Sequence, residues 1–309
     1  MPIDLTTKFV GIELKNPIIV GSAHNIATAE HVKKAADAGA AAVVMKTAHE
    51  IIPREKRRPS LLAKTSVRNL TNDYDPRLTK RGVAFSLMAG ALGTFYIDDI
   101  AKEIKKAKKM VDIPIIGSIA AETVDEYGNL ARMMDEAGAD AIEFPDPAHY
   151  KKPFRFEIVK VIKENTSLPI IAKLPEAWED PVEVSKKWKE AGVDAVTALG
   201  ETSLMGLEID VETAEPLFGG ECLMYGTWMR PVSLYYVARI RQSVGIPVAG
   251  VTGVLEWKGA VQYLLVGAEA VQMSSAIFAR GWRVLDEVVK GIREYMERKG
   301  YSKIDDFKG

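Results

Sequence analysis

A sequence unit that occurs four times constrains the fold of this chain more than any other feature. Each unit begins with a proline and an apolar run, and it ends with a glycine followed by a second apolar run. The four pairs are Pro17 and Gly39, Pro114 and Gly138, Pro169 and Gly192, and Pro247 and Gly267. Their separations of 22, 24, 23 and 20 residues accommodate a strand, a loop and a helix before the next strand.

The physical chemistry of one unit supports this interpretation. Proline lacks an N–H group, so it suits the first residue of a strand. The Ile- and Val-rich runs are apolar on both faces, as in strands covered by helices. Each glycine follows a helical pattern, where a left-handed C-terminal cap is favoured. Four such units give eight parallel strands, and we therefore predict an α/β fold, a (β/α)8 TIM barrel, as a single domain over residues 1–309.

Three stretches interrupt the repeat. Residues 5–15 alternate in polarity around Gly11, and we predict a hairpin that closes the bottom of the barrel. Residues 48–95 and 200–231 form long loops after strands 2 and 6. Both loops follow the carboxyl ends of strands, which is the face where barrel active sites lie.

The composition excludes several classes of protein. The net charge of −1 gives no reason to expect a nucleic-acid or membrane surface, and no apolar run is long enough to cross a bilayer. The single cysteine cannot form an internal disulfide or build a cysteine-rich metal cluster. With no signal peptide in the sequence, we expect a cytoplasmic enzyme.

Strands 7 and 8 both end in small residues, which predicts an anion site. The backbone N–H groups of Thr252, Gly253, Ser274 and Ser275 would open toward helix N-termini, the usual phosphate site of a barrel. The alternative is that these small residues only permit tight turns.

Two lysines, Lys46 and Lys173, end apolar strands and are predicted to face the barrel mouth. A lysine in such a place is costly unless it meets an anion. A substrate phosphate, a carboxylate, a Schiff base or an anionic cofactor ring would serve. A structural ion pair with Glu143 or Glu201 remains an alternative.

Several motifs occur in an order that resembles a known family. They are Asn16-Pro17, Val44-Met-Lys-Thr47, Ile171-Ala-Lys-Leu-Pro175, Arg230-Pro231 and the turns at 250–254 and 271–276. The chain is similar to the dihydroorotate dehydrogenase family of flavin mononucleotide (FMN) barrels, which includes the flavin-binding part of dihydropyrimidine dehydrogenase. The resemblance implies a flavoprotein oxidoreductase of pyrimidine metabolism that moves a hydride between a CH–CH bond and flavin N5.

The resemblance also implies an FMN site. The phosphate would rest on Thr252, Gly253, Ser274 and Ser275, with Gly226 close by. The isoalloxazine ring would lie near Gly21, Ser22, Ala23 and Thr47, with Thr197 at the same mouth. Lys173 would face the N1/O2 edge of the ring and stabilise negative charge on its reduced form, while Lys46 would lie toward the substrate.

The substrate residues depart from the family pattern. Where the family has Asn-Leu-Ser-Cys-Pro-Asn, this chain has Glu143-Phe-Pro-Asp-Pro-Ala148. Asp146 then takes the place of the family's proton-abstracting cysteine or serine, and Glu143 and Glu201 take the places of cage asparagines. These carboxylates would repel orotate, so we expect a neutral or cationic substrate.

The predicted catalytic residues are therefore Asp146, Lys46, Glu143 and Glu201, with Asp146 as the base. His149 and Tyr150 are alternative bases, and Cys222 in the loop after strand 6 could also reach the site. Asp146 could instead be a turn residue that bonds its own backbone.

Competing hypotheses remain open at this point. The chain could be an authentic dihydroorotate dehydrogenase, a Schiff-base lyase or aldolase using Lys173 or Lys46, or a non-catalytic flavin-binding subunit. We predict no metal site, because His49, Glu50, Asp146 and His149 lack close ligand spacing. The expected partners are a small-molecule substrate, a possible electron-transfer subunit and a second copy in a homodimer.

Overall fold

The computed structural model describes residues 3–49, 83–87, 95–147, 153–175, 179–200, 205–206, 209–216 and 222–309. At 83–87, 205–206, 216 and 222–225 it describes the backbone alone.

The strands and helices follow the predicted alternation. In chain order the strands are β1 (Thr7–Phe9), β2 (Ile12–Leu14), β3 (Ile18–Val20), β4 (Ala42–Val44), β5 (Val83–Leu87), β6 (Ile115–Ser118), β7 (Ala141–Pro145), β8 (Ile170–Lys173), β9 (Ala195–Ala198), β10 (Met205–Gly206), β11 (Ile209–Asp210), β12 (Glu215–Pro216), β13 (Cys222–Gly226), β14 (Val248–Val251) and β15 (Ala270–Met273). The α-helices are Ala29–Asp37, Ile97–Ala107, Val124–Glu136, Ile158–Asn165, Pro181–Ala191, Arg230–Ser243, Trp257–Leu265, Ser275–Arg280 and Val284–Lys299.

Eight of the strands close into a parallel barrel, in the order β14-β15-β3-β4-β6-β7-β8-β9. Each unit contributes two neighbouring strands joined through a helix, so the (β/α)8 prediction is confirmed. In the part of the chain that the structure describes, none of the helices has the length and apolarity that a bilayer crossing requires.

The proline and glycine positions of the repeat behave as their chemistry predicts. The first strand of each unit begins one residue after the proline. The carbonyl oxygens of Pro17, Pro114, Pro169 and Pro247 accept hydrogen bonds from neighbouring strands. The four glycines have φ between 88° and 101°, a left-handed conformation that costs other residues energy.

The predicted N-terminal hairpin is also present. Strands β1 and β2 pair in antiparallel fashion around a turn in which Val10 and Gly11 have φ of 46° and 82°. Phe9 and Leu14 are buried and pack with residues that line the barrel interior. The hairpin therefore fills the amino-terminal end of the barrel with apolar side chains.

The two long loops meet each other at the carboxyl-terminal side of the barrel. β5 belongs to the loop after the second barrel strand, and β10 and β13 belong to the loop after the sixth. β13 lies between β10 and β5 in a three-stranded sheet, and it pairs antiparallel with β5 over five residues. The sequence placed both loops at this face but did not predict their pairing, because strand partners so distant in sequence leave no local pattern.

The inward-facing residues form an apolar floor beneath the active-site end. The interior cluster contains Ile19, Ala42, Val44, Ile116, Ala141, Ile171, Ala195, Ala249 and Ala270. Because side chains alternate along a strand, residues two positions further toward the carboxyl end also point inward. That next layer contains Gly21, Ser118, Glu143, Lys173, Thr197 and Gln272.

Candidate active site

A charged hydrogen-bond network lies directly above the apolar floor. The Glu143 carboxylate is fully buried, and its Oε2 accepts hydrogen bonds from Thr197 Oγ1 at 2.9 Å and Gln272 Nε2 at 2.6 Å. The Lys173 ammonium lies 3.5 Å from Glu143 Oε1 and donates to Gln272 Oε1 at 3.4 Å. Four strands, β7, β8, β9 and β15, thus supply one network.

Lys173 is 8% exposed and would be costly in this apolar surrounding without an anion. The structure pairs it with Glu143, which is one of the possibilities that the sequence left open. Both contacts of its ammonium group are long, and an ammonium group has three N–H donors. Lys173 therefore retains hydrogen-bonding capacity for a further acceptor at the mouth.

A chain of buried hydroxyl groups runs along the other side of the mouth. Ser22 Oγ lies 3.1 Å from Thr47 Oγ1 and accepts a hydrogen bond from the Thr47 N–H at 3.1 Å. Thr47 Oγ1 lies 2.9 Å from Ser118 Oγ. These contacts join the ends of β3, β4 and β6 and fix the orientation of three hydroxyl groups, of which Ser22 and Thr47 were predicted to lie at the mouth.

Gly21 is required where β3 meets β15. A Cβ at this position would lie 2.9 Å from Ser274 Oγ and 3.0 Å from Gln272 Oε1. Ser274 Oγ also donates to the Gly21 carbonyl at 3.1 Å. The absence of a side chain therefore lets Ser274 and Gln272 pack directly against the backbone of β3.

The turn after β14 brings together several residues of the predicted phosphate site. Thr252 and Gly253 have φ of 90° and 69°. A Cβ at Gly253 would lie 3.0 Å from the Gly226 carbonyl oxygen, and Arg230 Nη1 donates to the Gly253 carbonyl at 2.8 Å. Gly226 is therefore close to Gly253, as predicted, and Arg230 anchors the turn.

Tyr263 anchors the same turn from below. Its hydroxyl donates toward the carbonyls of Val251 and Thr252, at 2.7 and 2.8 Å. Burial raises the pKa of this hydroxyl above its usual value, so it stays a proton donor in the physiological pH range.

The remaining predicted site residues lie at the same end of the barrel. Lys46 is half-buried, and its Nζ lies 5.9 Å from the centroid of the Phe95 ring, within cation–π range. The carbonyl of Ala23 accepts a hydrogen bond from the Ile26 N–H at 3.1 Å. Ser275 begins the helix Ser275–Arg280 and is partly exposed.

Asp146 does not join these residues at the mouth. Its buried carboxylate accepts hydrogen bonds from Arg155 Nε at 2.6 Å, from Arg155 Nη2 and from Trp188 Nε1 at 2.9 Å. Trp188 belongs to the helix Pro181–Ala191 and also packs against Phe144. Asp146 is therefore held in a structural ion pair between the strand end and its covering helices.

The strand period explains why the side chain of Asp146, which sequence predicted to be the base, points away from the barrel interior. Glu143 faces the barrel interior, so Phe144 and Asp146, one and three residues further along, lie on the opposite side and face the helices. Aligning the prolines placed Asp146 by sequence position alone and ignored the direction of its side chain. Glu201, His149, Tyr150 and Glu50 lie outside the described residues, as does the side chain of Cys222.

Sequence analysis missed two residues that organise the region. Gln272 bridges Glu143 and Lys173, and its signal was a polar residue two positions after inward-facing Ala270 in an otherwise apolar strand. Arg155 carried no local signal, because it reaches Asp146 and Glu179 from a separate segment. The part of the chain that the structure describes contains no cluster of three or more His, Cys, Asp or Glu side chains that could hold a metal ion.

The residues present fit FMN. The buried Lys173 ammonium makes only long contacts, so it has donor capacity for the N1/O2 edge of a flavin ring. The Thr252–Gly253 turn lies at the carboxyl end of β14, where barrels hold phosphate groups.

An α/β barrel with a buried cation at its mouth, and a glycine turn at the carboxyl end of β14, defines a cofactor-binding barrel enzyme. Comparison with known proteins agrees with this class. The family model described as dihydroorotate dehydrogenase matches residues 75–296. The chain belongs to the dihydroorotate dehydrogenase family.

Relatives cover almost the full length of the chain. The dihydroorotate dehydrogenase B (NAD(+)), catalytic subunit, of Pyrococcus abyssi is 30% identical and covers 99% of this chain and 98% of its own. The protein of the same name from Thermoplasma acidophilum is 29% identical, with 99% and 98% covered. That from Pyrococcus horikoshii is 28% identical, with 99% and 97% covered.

Membership of this family establishes the class of chemistry. The chain is an FMN-dependent flavoprotein oxidoreductase that acts on a CH–CH group of a small molecule. The prediction of an FMN barrel oxidoreductase is thereby confirmed, and a Schiff-base lyase is not needed to explain the two lysines at the mouth.

Proposed function

We propose that the substrate of this oxidoreductase is a neutral or cationic small molecule and not dihydroorotate. The observation that carries the proposal is the buried Glu143 carboxylate in the polar layer of the barrel mouth. The family pattern places a neutral asparagine amide there. A second carboxylate, that of dihydroorotate, would be repelled in a site of low dielectric constant.

The proposed site assigns one task to each group of residues. Backbone groups of Thr252, Gly253, Ser274 and Ser275, with Gly226 beside them, hold the phosphate of FMN. Gly21, Ser22, Ala23, Thr47 and Thr197 surround its ring. When bound, FMN supplies the hydride acceptor at N5.

Lys173 provides fixed positive charge at the N1/O2 edge, where negative charge develops during hydride transfer. Glu143, Thr197 and Gln272 hold the Lys173 side chain in place through the contacts described above. Lys46 lies toward the substrate side, where its ammonium can interact with substrate oxygen atoms. Asp146 is not part of the proposed machinery, because its carboxylate is bonded to Arg155 and Trp188.

The second candidate function is that of an authentic dihydroorotate dehydrogenase. Its specific support is the name carried by the relatives above, which oxidise dihydroorotate with NAD(+) and are catalytic subunits. Under this hypothesis Lys173 neutralises Glu143 sufficiently for an anionic substrate to bind. Either candidate is consistent with FMN chemistry.

Anaerobic reduction of the FMN-loaded protein distinguishes the two candidates. We expect dihydroorotate at millimolar concentration to leave the oxidised flavin spectrum unchanged, while dithionite bleaches it completely. Bleaching by dihydroorotate at a rate that supports turnover would establish the second candidate. In Glu143→Gln, which removes the repelling charge and keeps the side-chain length, we expect orotate to bind at least tenfold more tightly.

We also propose that electrons leave through a partner subunit, that the protein is cytoplasmic, and that it forms a homodimer. The words "catalytic subunit" in the names of its relatives support the first of these. Co-expression with a candidate flavin- or iron–sulfur-containing partner, followed by NAD(+) reduction assays, tests it. A catalytic chain that reduces NAD(+) unaided would contradict it.

A further inference from the structure

Lys173, the cation expected beside the flavin, is paired with a carboxylate in this chain. Glu143 Oε1 lies 3.5 Å from Lys173 Nζ, and both side chains are at least nine-tenths buried. The other oxygen, Oε2, is held by Thr197 and Gln272, so the carboxylate cannot rotate away without losing two hydrogen bonds. A negative charge is thus fixed next to the lysine on which reduced flavin depends.

The charge on Glu143 has a direct consequence for electron transfer. A flavin bound here would accept a hydride at N5, and its reduced ring would carry negative charge near the N1/O2 edge. An unpaired lysine at that edge stabilises the reduced ring. A carboxylate next to the lysine opposes this effect, because at low dielectric constant the two charges act on the ring with opposite signs.

We propose that Glu143 is a positioning residue that makes the bound flavin a stronger reductant, by compensating the charge of Lys173. A carboxylate at the position where the family has an amide then changes the reduction equilibrium of the flavin as well as the charge of the substrate pocket. The inference rests on the placement of the FMN ring beside Lys173 that is proposed above. It does not depend on the identity of the substrate.

The geometry favours an electrostatic role over a purely structural one. The hydrogen bonds to Oε2 would be satisfied equally well by the neutral carbonyl oxygen of a glutamine. Only the charge of Oε1, which makes no hydrogen bond in the described structure, requires a glutamate beside Lys173. The Glu143→Gln substitution keeps the shape of the side chain and removes its charge, so it separates the electrostatic role from the structural one.

The test is the reduction equilibrium of bound FMN, measured against a reference dye under anaerobic conditions without substrate. In Glu143→Gln we expect the equilibrium constant for two-electron reduction to increase at least tenfold, which corresponds to about 30 mV. The control is Glu136→Gln, which removes an exposed carboxylate paired with Arg132 on an outer helix and should change the constant by less than threefold. An unchanged or decreased constant in Glu143→Gln overturns the proposal.

A double variant keeps the proposal testable if a lone buried lysine prevents folding. Glu143→Gln combined with Lys173→Gln removes both charges, and we expect its reduction constant to stay within threefold of the wild-type value. A decrease of more than tenfold would mean that Lys173 acts uncompensated, and the proposal would be wrong. Because no substrate is used, these outcomes are independent of whether dihydroorotate is oxidised.

Discussion

At the scale of single residues, the direction of a side chain decides its role more than its position in a motif. Glu143 and Asp146 are three residues apart and both are buried carboxylates. The first faces the barrel interior and meets Lys173, while the second faces the helices and meets Arg155. The strand period contained this information, but the motif match that placed Asp146 did not use it.

Substitution of Asp146 tests the structural role of its ion pair. Removing one partner of a buried pair leaves the other uncompensated, so we expect Asp146→Asn to lower the free energy of unfolding by about 3 to 5 kcal/mol. The control is Glu136→Gln, which breaks an exposed pair with Arg132 and should cost less than about 1 kcal/mol. Denaturant unfolding measures both.

The flavin spectrum and its reduction by dithionite should be unchanged in folded Asp146→Asn protein. If Asp146→Asn kept its stability but lost flavin reduction by substrate, Asp146 would be the catalytic base and the structural assignment would be wrong.

At the scale of elements, the barrel could be predicted from the repeat, but the pairing of the loops outside the repeat could not. Prolines and glycines act locally, through a missing N–H group or a left-handed conformation, so their effects are visible in sequence. The contacts that build the site act between elements, such as Gln272 on β15 with Glu143 on β7. Sequence placed Lys173, Thr47 and Gly253 at the mouth because each follows a recognisable apolar strand.

The glycine turn after β14 gives a prediction about cofactor binding. An alanine at position 253 would have φ of 69° and a Cβ 2.9 Å from Arg230 Cβ and 3.0 Å from the Gly226 carbonyl oxygen. The turn must therefore shift, and we expect Gly253→Ala to weaken FMN binding at least tenfold, measured by fluorescence titration of the apoprotein.

Gly245 provides a matched control for this substitution. It has φ of 65°, but a Cβ there would have open space around it. Gly245→Ala should cost about 1 kcal/mol of stability, as a left-handed alanine does, and leave FMN affinity unchanged. Equal FMN affinity in the two variants would contradict the assignment of the turn to the phosphate.

At the scale of the whole molecule, stability depends on pH through a buried histidine that is not part of the Glu143–Lys173 network. His31 is 2% exposed, its Nδ1 accepts a hydrogen bond from the Ala27 N–H, and its ring stacks on Trp282. Burial lowers the pKa of His31 to about 4, with a further decrease from Lys34 and an opposing effect of Glu103. The histidine is therefore neutral in the folded protein at neutral pH.

The sign of the pH effect follows from this shift. The unfolded chain binds a proton at His31 below pH about 6.5, and the folded protein binds it only below about 4. We expect the free energy of unfolding to decrease as the pH falls from about 6.5 to 4, by up to about 3 kcal/mol, and this contribution to level off below that range.

Urea unfolding at several pH values checks the prediction, with His31→Gln as the comparison. The variant should lose most of the pH dependence in this window. An equally steep decrease in both proteins would assign the effect to other groups.

The single-domain prediction for residues 1–309 stays a prediction, but the pairing of β5 with β13 bears on how the chain reaches its final form. These partners lie more than a hundred residues apart. During synthesis on the ribosome, the segment Val83–Leu87 emerges long before Cys222–Gly226, so the small sheet beside the mouth is completed late. The barrel strands β3, β4 and β6 to β9 can associate in the meantime, and a competent cofactor site forms only after most of the polypeptide has been translated.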